Sequence, residues 1–238
     1  MTGRNRIKII TGLLFISFFA FAQNYPDMDS NKDTLPCFKG PILAKTFINP
    51  FPANNLQFYN DWSPGNIILE NGTVIKNELL RYNAYLDELL WLRKSDFKQG
   101  VVNKQTVTGF TCINEENKEE IFFTKKRIKR WYLNDSSDVF LQVLVAGNVT
   151  LYSYRAVTYN SDIHDLENNE MYFISTNNGL QRFKPNRVSF LKLFTGEDKS
   201  KVKSILKNYR LKVADEGQLI EAIRIYNDSP VLKLKNCQ

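Results

Sequence analysis

Residues 66–76 read Asn-Ile-Ile-Leu-Glu-Asn-Gly-Thr-Val-Ile-Lys, two apolar runs on either side of Asn71-Gly72. Asn-Gly tolerates the two positive φ angles of a type I′ turn, whose twist matches that of paired strands. A two-residue loop pairs Glu70 with Thr73 and Leu69 with Val74, and sets Ile68 opposite Ile75. The stretch therefore predicts a β-hairpin, and the rest of the fold is read outward from it.

Downstream, Leu80, Tyr82 and Ala84 alternate with Arg81 and Asn83, and Leu90 and Leu92 alternate with Leu89 and Trp91 after a turn at Leu86-Asp87-Glu88. This predicts two more strands. Leu79, Tyr82, Leu86 and Leu89-Leu90 also fit a helical period, so helix is the rival reading for 77–93. Short β-rich runs follow at Thr106–Ile113, Glu120–Thr124, Arg127–Leu133, Val139–Ala146, Val149–Tyr159, Met171–Thr176 and Leu180–Lys184. Gly147-Asn148 and Asn177-Asn178-Gly179 mark tight turns, and Asn160–Glu170 reads as a polar loop. Many short strands at close spacing predict an antiparallel meander, a sandwich or a partly open barrel over 66–186.

The period changes at the C-terminal end. Val202, Ile205, Leu206 and Tyr209 fall at i, i+3, i+4, i+7, as do Leu219, Ala222, Ile223 and Tyr226. Both are amphipathic helix patterns. Thr195 and Asp215 stand where N-caps belong. Val188, Leu191 and Phe194 suit a shorter helix before them, and Arg210–Val213 is a short link. Residues 187–238 are thus expected to form a helical hairpin packed on the sheet. The fold class is α+β.

The N-terminal end carries a different pattern. Arg4, Arg6 and Lys8 precede the apolar run Ile9–Phe19, and Ala20-Phe21-Ala22 precedes Gln23. Basic, apolar and small-residue zones in this order read as a secretory signal peptide over 1–22. The apolar run is shorter than the ~20 residues a membrane-spanning helix needs. The expectation is an exported protein, periplasmic or extracellular, with no transmembrane span in the mature chain. Residues 23–65, punctuated by six prolines, read as an extended lead-in closed by Trp62. Three of the 32 basic residues lie in the signal, leaving 29 against 25 acids. The excess gathers at 187–238, which hold 11 basic and 6 acidic residues. Cys37, Cys112 and Cys237 match no metal or redox spacing. An oxidising compartment permits Cys37–Cys112 or Cys37–Cys237, and spacing does not choose between them.

The signal peptide, the segment Asn66–Leu92 (NIILENGTVIKNELLRYNAYLDELLWL), the strand pair Phe140–Tyr154 (FLQVLVAGNVTLYSY) and the terminal helices resemble a broad group of uncharacterised secreted β-rich proteins of Gram-negative bacteria. The resemblance implies export and a β-rich fold. It implies no reaction and supplies no site residues.

Chemistry is sparse. His164, the one histidine, sits in the polar stretch Ser161–Asp165, with Ser153 and Ser161 near in sequence. It reads as a loop residue ahead of a catalytic base, since no nucleophile-elbow motif accompanies it. Asp87-Glu88 and Glu115-Glu116 are adjacent acids, and neighbours on a strand point to opposite faces, so neither is a natural catalytic dyad. Lys125–Arg130 followed by Trp131-Tyr132 combines cations with rings, a pattern that suits polyanions and also protects exposed strands from aggregation. Trp62, Trp91 and Trp131 form no ordered row for stacking sugars. No catalytic, cofactor or metal residue is assigned. The leading reading is a non-enzymatic envelope or extracellular binding or scaffolding module with a protein or glycan partner and no nucleic acid. The alternatives are a hydrolase with a dispersed site involving His164 or strand carboxylates, and a polyanion or anionic-surface binder using Lys125–Arg130 and the basic helices.

Overall fold

The computed structural model describes residues 42–47, 55–114, 117–130 and 135–229, all within the unit Leu35–Gln238. The expected signal peptide, most of the lead-in, Cys37, Cys237, Glu115-Glu116, Trp131-Tyr132 and the last nine residues lie outside them.

Among the described residues, eleven strands form one open antiparallel sheet. They are β1 (Ala44–Thr46), β2 (Ser63–Leu69), β3 (Val74–Asn83), β4 (Glu88–Leu92), β5 (Gln99–Val102), β6 (Val107–Ile113), β7 (Glu120–Arg130), β8 (Asp135–Val145), β9 (Thr150–Tyr154), β12 (Met171–Thr176) and β13 (Gly179–Phe183). A separate ribbon pairs β10 (Val157–Asn160) with β11 (Asp165–Asn168). The order across the sheet is β1-β5-β4-β3-β2-β6-β7-β8-β9-β12-β13. Helices α1 (Arg187–Leu191), α2 (Gly196–Asn208) and α3 (Glu216–Asp228) complete the α+β fold.

The founding hairpin forms, with a different turn. The Gly72 amide donates to Leu69 O and the Leu69 amide to Thr73 O, both at 2.9 Å, and Gly72 alone of the pair Asn71-Gly72 has positive φ, at 80°. The loop is therefore three residues, Glu70 to Gly72, a type I turn closed by a left-handed glycine. Ile68 faces Val74 and Ile67 faces Ile75, one step from the expected register. A bulge at Lys76-Asn77 restores the step, so that Gly65 faces Glu78 and Ser63 faces Leu80. Asn77 takes φ 58° there and donates its amide to Asn66 Oδ1 at 3.1 Å. Without the bulge, a one-residue slip would turn Leu80 and Tyr82 away from the core.

Strand wins over helix for residues 77–83 and 88–92, because Leu80, Tyr82, Leu89 and Trp91 find cross-strand partners and burial. Other elements differ from expectation. The runs Glu120–Thr124 and Arg127–Leu133 merge into one long β7, while Val149–Tyr159 breaks in two at Arg155-Ala156. The polar loop contains β11, held by four pairs to β10 and by buried Leu166. The lead-in contains β1 and a 3-10 turn at Asn55–Gln57. Asp215 caps α3 by accepting from the Gln218 amide at 2.9 Å, whereas the Thr195 side chain makes no capping bond. In α1 the buried residue is Phe190, and Val188 is exposed.

Cross-strand partners share a face, so the register traces a row: Ile75, Ile67, Phe110, Phe123, Gln142, Ser153, Tyr172, Phe183. One face thus carries two cores. At one end Tyr82, Phe110, Phe123 and Phe140 interlock, with the Phe110 and Phe123 rings stacked at 4.8 Å. At the other, Leu151, Ile174 and Phe183 meet Phe190, Val202, Ile205, Leu206, Leu219 and Ile223 of the helices. Each such side chain contributes about 1.5–3 kcal/mol when buried. Between the two cores the row turns polar, at Gln142 and Ser153.

Candidate functional site

That polar seam is organised by Arg155, at the break between β9 and β10. The residues that follow it, Ala156 and Val157, are buried, and the Arg155 side chain itself is only 10% exposed. Arg155 Nε donates to Gln142 Oε1 at 2.6 Å. Nη1 lies 2.9 Å from Glu170 Oε1, and Nη2 lies 2.8 Å from Glu216 Oε1. The Tyr59 hydroxyl donates to the same Gln142 oxygen at 3.1 Å. The Tyr172 hydroxyl sits 2.9 Å from Glu216 Oε2 and 3.3 Å from Glu170 Oε2.

Burial works against the Arg155 charge, but the hydrogen bond and charge of Glu216, with Glu170 behind, outweigh it and hold the guanidinium protonated more firmly than usual. The Tyr172 phenol is raised by burial and then by Glu216, and the Tyr59 phenol by burial. Ser153 Oγ is fully buried in the same row and has no hydrogen-bond partner among the described residues.

Beside the seam opens a cleft of about 290 Å³. Leu56, Phe58 and Tyr59 of the lead-in form one wall, and Arg155 to Val157, Asn168 and Glu170 form the other. The volume is at the lower end for small-ligand sites, about 300–1,000 Å³. The Arg81 guanidinium lies 3.6 Å from the centroid of the Phe58 ring. Arg81 is itself anchored to Asn60 O at 3.1 Å and Asp61 Oδ1 at 2.9 Å.

A second buried charge belongs to the scaffold. Asp87, at φ 55° in the β3–β4 turn, accepts from Tyr82 OH at 2.7 Å and the Phe140 amide at 3.1 Å on Oδ1, and from Lys104 Nζ at 2.7 Å on Oδ2. Burial raises its carboxyl above the ordinary range despite these donors. Lys104 lies in the crossover between β5 and β6, which are four places apart in the sheet. The Asp87–Lys104 pair therefore ties that crossover to the turn. Glu88 faces Lys45 at 3.9 Å and does not join Asp87 in a dyad.

His164 stands exposed in the turn between β10 and β11, at φ 53°, with its Nδ1 3.3 Å from the Tyr159 hydroxyl. Ser153 is buried in the sheet and Ser161 is exposed in the turn, so these three do not assemble. The basic run is divided by strand alternation. Lys125 bonds Glu70 Oε1 at 2.5 Å and Lys104 O at 3.0 Å, Arg127 faces Asp138 at 3.7 Å, and Ile128 is buried on the opposite face. Trp91 is buried and donates its indole N–H to Glu78 Oε2 at 2.7 Å, while Trp62 is half-buried. Cys112 is a buried free thiol, and Cys37 and Cys237 lie outside the described residues.

The seam residues Arg155, Glu170, Glu216, Tyr59 and Gln142 were not marked by sequence reasoning. The one local sign is the lone arginine inside the otherwise uncharged run Val149–Tyr159. Among the described residues no helix is long and apolar enough to cross a membrane. No family model, curated protein or solved structure matches this chain.

Proposed function

We propose that this is an exported, non-enzymatic binding or scaffolding module of the envelope or extracellular space, and that the cleft beside Arg155 receives part of its partner. Export rests on the order of residues 1–22, and the resemblance of Asn66–Leu92 to secreted bacterial proteins points the same way. The observation that carries the binding reading is the construction of the cleft. Its aromatic wall is backed by Arg81, and its carboxylate Glu170 is engaged by Arg155 and Tyr172. Groups fixed in place in this way can orient a ligand with little reorganisation on binding.

The test is crosslinking capture from the native envelope by the tagged protein, compared with Asn168→Trp, which fills the cleft mouth from an exposed position. A partner protein or glycan taken by the wild type and lost by the variant supports the proposal. Equal capture by both moves the interface away from the cleft. Turnover of an envelope substrate by the purified protein overturns the non-enzymatic reading.

A further inference from the structure

The turn joining β4 to β5 carries a residue that the fold does not account for. The Phe97 amide donates to Arg93 O at 2.8 Å, and the Arg93 amide to Lys98 O at 3.0 Å. The chain closes this loop by placing Phe97 in the left-handed region, at φ 53°. Glycine or asparagine takes that conformation at least cost, and a bulky aromatic there is an outlier. Packing does not compensate, since Phe97 is 72% exposed, more than any other large apolar side chain described.

Its surroundings are cationic. The turn holds Arg93, Lys94 and Lys98 against one acid, Asp96. Asp96 accepts from Arg93 Nε at 2.7 Å and lies 3.7 Å from Lys98, and the Arg93 hydrogen bond holds its carboxyl down at about 2. Lys94 donates to Asn77 O, which fixes its ammonium next to the turn without neutralising it.

We propose that the β4–β5 turn docks the protein onto an anionic membrane surface, with the Phe97 ring in the boundary between headgroups and acyl chains and Lys94 and Lys98 on headgroup phosphates. An aromatic ring within a cationic collar suits an interfacial site, because the ring is stabilised at headgroup depth and the cations are attracted to anionic lipid. A six-residue tip is small beside the roughly 800 Å² per partner of a stable protein interface. A bilayer supplies continuous surface to such a tip. Like charge disfavours a second copy of the same turn. One ring with a few cations makes the binding reversible. The proposal is independent of the cleft.

The experiment is co-sedimentation of the purified full chain with phosphatidylglycerol-containing vesicles and with pure phosphatidylcholine vesicles, at low and high salt. The wild type is expected on the anionic vesicles, with binding that weakens as salt rises. Phe97→Gly should reduce partitioning about tenfold, the effect of half-burying a phenylalanine. Phe97→Trp should retain it, and Lys94→Gln and Lys98→Gln should each cost about fivefold. Phe97→Gly should also raise the denaturation midpoint, because it relieves the backbone. Failure of the wild type to bind anionic vesicles overturns the proposal, as does full binding by Phe97→Gly. A lowered midpoint in Phe97→Gly assigns the ring to the fold instead. Capture of a protein that needs Phe97, with no vesicle binding, replaces the membrane with a protein partner.

Discussion

Arg155 Nη2 and Glu216 Oε1 lie 2.8 Å apart, and this pair ties the end of β9 to the first residue of α3. Glu216 also sits where the amide dipoles of the helix favour an anion. The helical layer is thus held to the sheet by apolar packing and by one charged contact set between the two cores.

Arg155→Met should destabilise the protein by about 2–3 kcal/mol, read as a shift in urea midpoint at constant slope. The full cost of orphaning a buried charge is larger, but the Glu170 and Glu216 side chains are 37% and 31% exposed and water screens part of it. Glu170→Gln should cost under about 1 kcal/mol, because Glu216 still faces the guanidinium. The double variant Arg155→Met, Glu216→Gln should cost less than the sum of its parts. Strict additivity would mean that the two residues act separately.

Asp87 gives stability a specific pH dependence. Its folded carboxyl is raised, with burial outweighing Lys104, Tyr82 and Phe140, whereas the unfolded side chain titrates near about 3.9. Above that value the folded protein retains the proton that the unfolded chain has lost. This contribution to stability is present below the unfolded value and is lost as pH rises through the folded one. Asp87→Asn keeps an oxygen for Tyr82 and Phe140 but has no titration. The stability gap between wild type and variant should therefore be widest at acid pH and narrow towards neutrality. A gap that widens with pH in urea titrations would show that Lys104 outweighs burial.

The elements that proved legible were those whose determinants are local. Gly72 marked the hairpin because it alone supplies the left-handed position, and the 3.6 period exposed α2 and α3 because Val202, Ile205, Leu206, Leu219, Ala222 and Ile223 face one core. Register was less legible. Glu70 joins the loop and Asn77 bulges to compensate, and neither event has a composition of its own. β11 was missed because Asp165-Leu166-Glu167-Asn168 offers one apolar residue, and pairing with β10 decides its state. The seam was least legible of all. Tyr59, Gln142, Arg155, Glu170 and Glu216 are spread over more than 150 residues of sequence. Only Gln142 stands in the row of cross-strand partners, and the others reach it from the lead-in, the break after β9, the residue before β12 and the start of α3.

Cys112 should be inert in the folded protein. Burial, with the Glu120 charge adding to it, pushes its thiol up to about 12, so little thiolate exists at mild pH. In a chain carrying Cys37→Ser and Cys237→Ser, iodoacetamide should label Cys112 slowly in buffer and rapidly in denaturant. The native rate should follow the opening equilibrium of the core that holds Cys112, with Phe110 and Phe123. Rapid labelling without denaturant would place Cys112 in a region that opens locally.

Two glycines separate backbone strain from backbone crowding. A Cβ on Gly72 would meet nothing within 4 Å, but its φ is 80°, so Gly72→Ala should cost about 1 kcal/mol through conformation alone. A Cβ on Gly65 would lie 2.0 Å from Thr111 O and 3.0 Å from Leu80 Cδ1. The first of these is a main-chain atom in the adjoining strand β6, where Gly65 faces Cys112, so the clash cannot be relieved by a rotamer change. Gly65→Ala must separate β2 from β6 or shift both, at the point where the sheet leaves the founding hairpin and enters the aromatic core. Its cost should exceed about 3 kcal/mol, in the range reserved for overpacking and broken pairing. Urea midpoints of the two variants test this directly. If Gly65→Ala costs no more than Gly72→Ala, the β2–β6 approach is soft, and the aromatic core does not depend on that contact for its spacing.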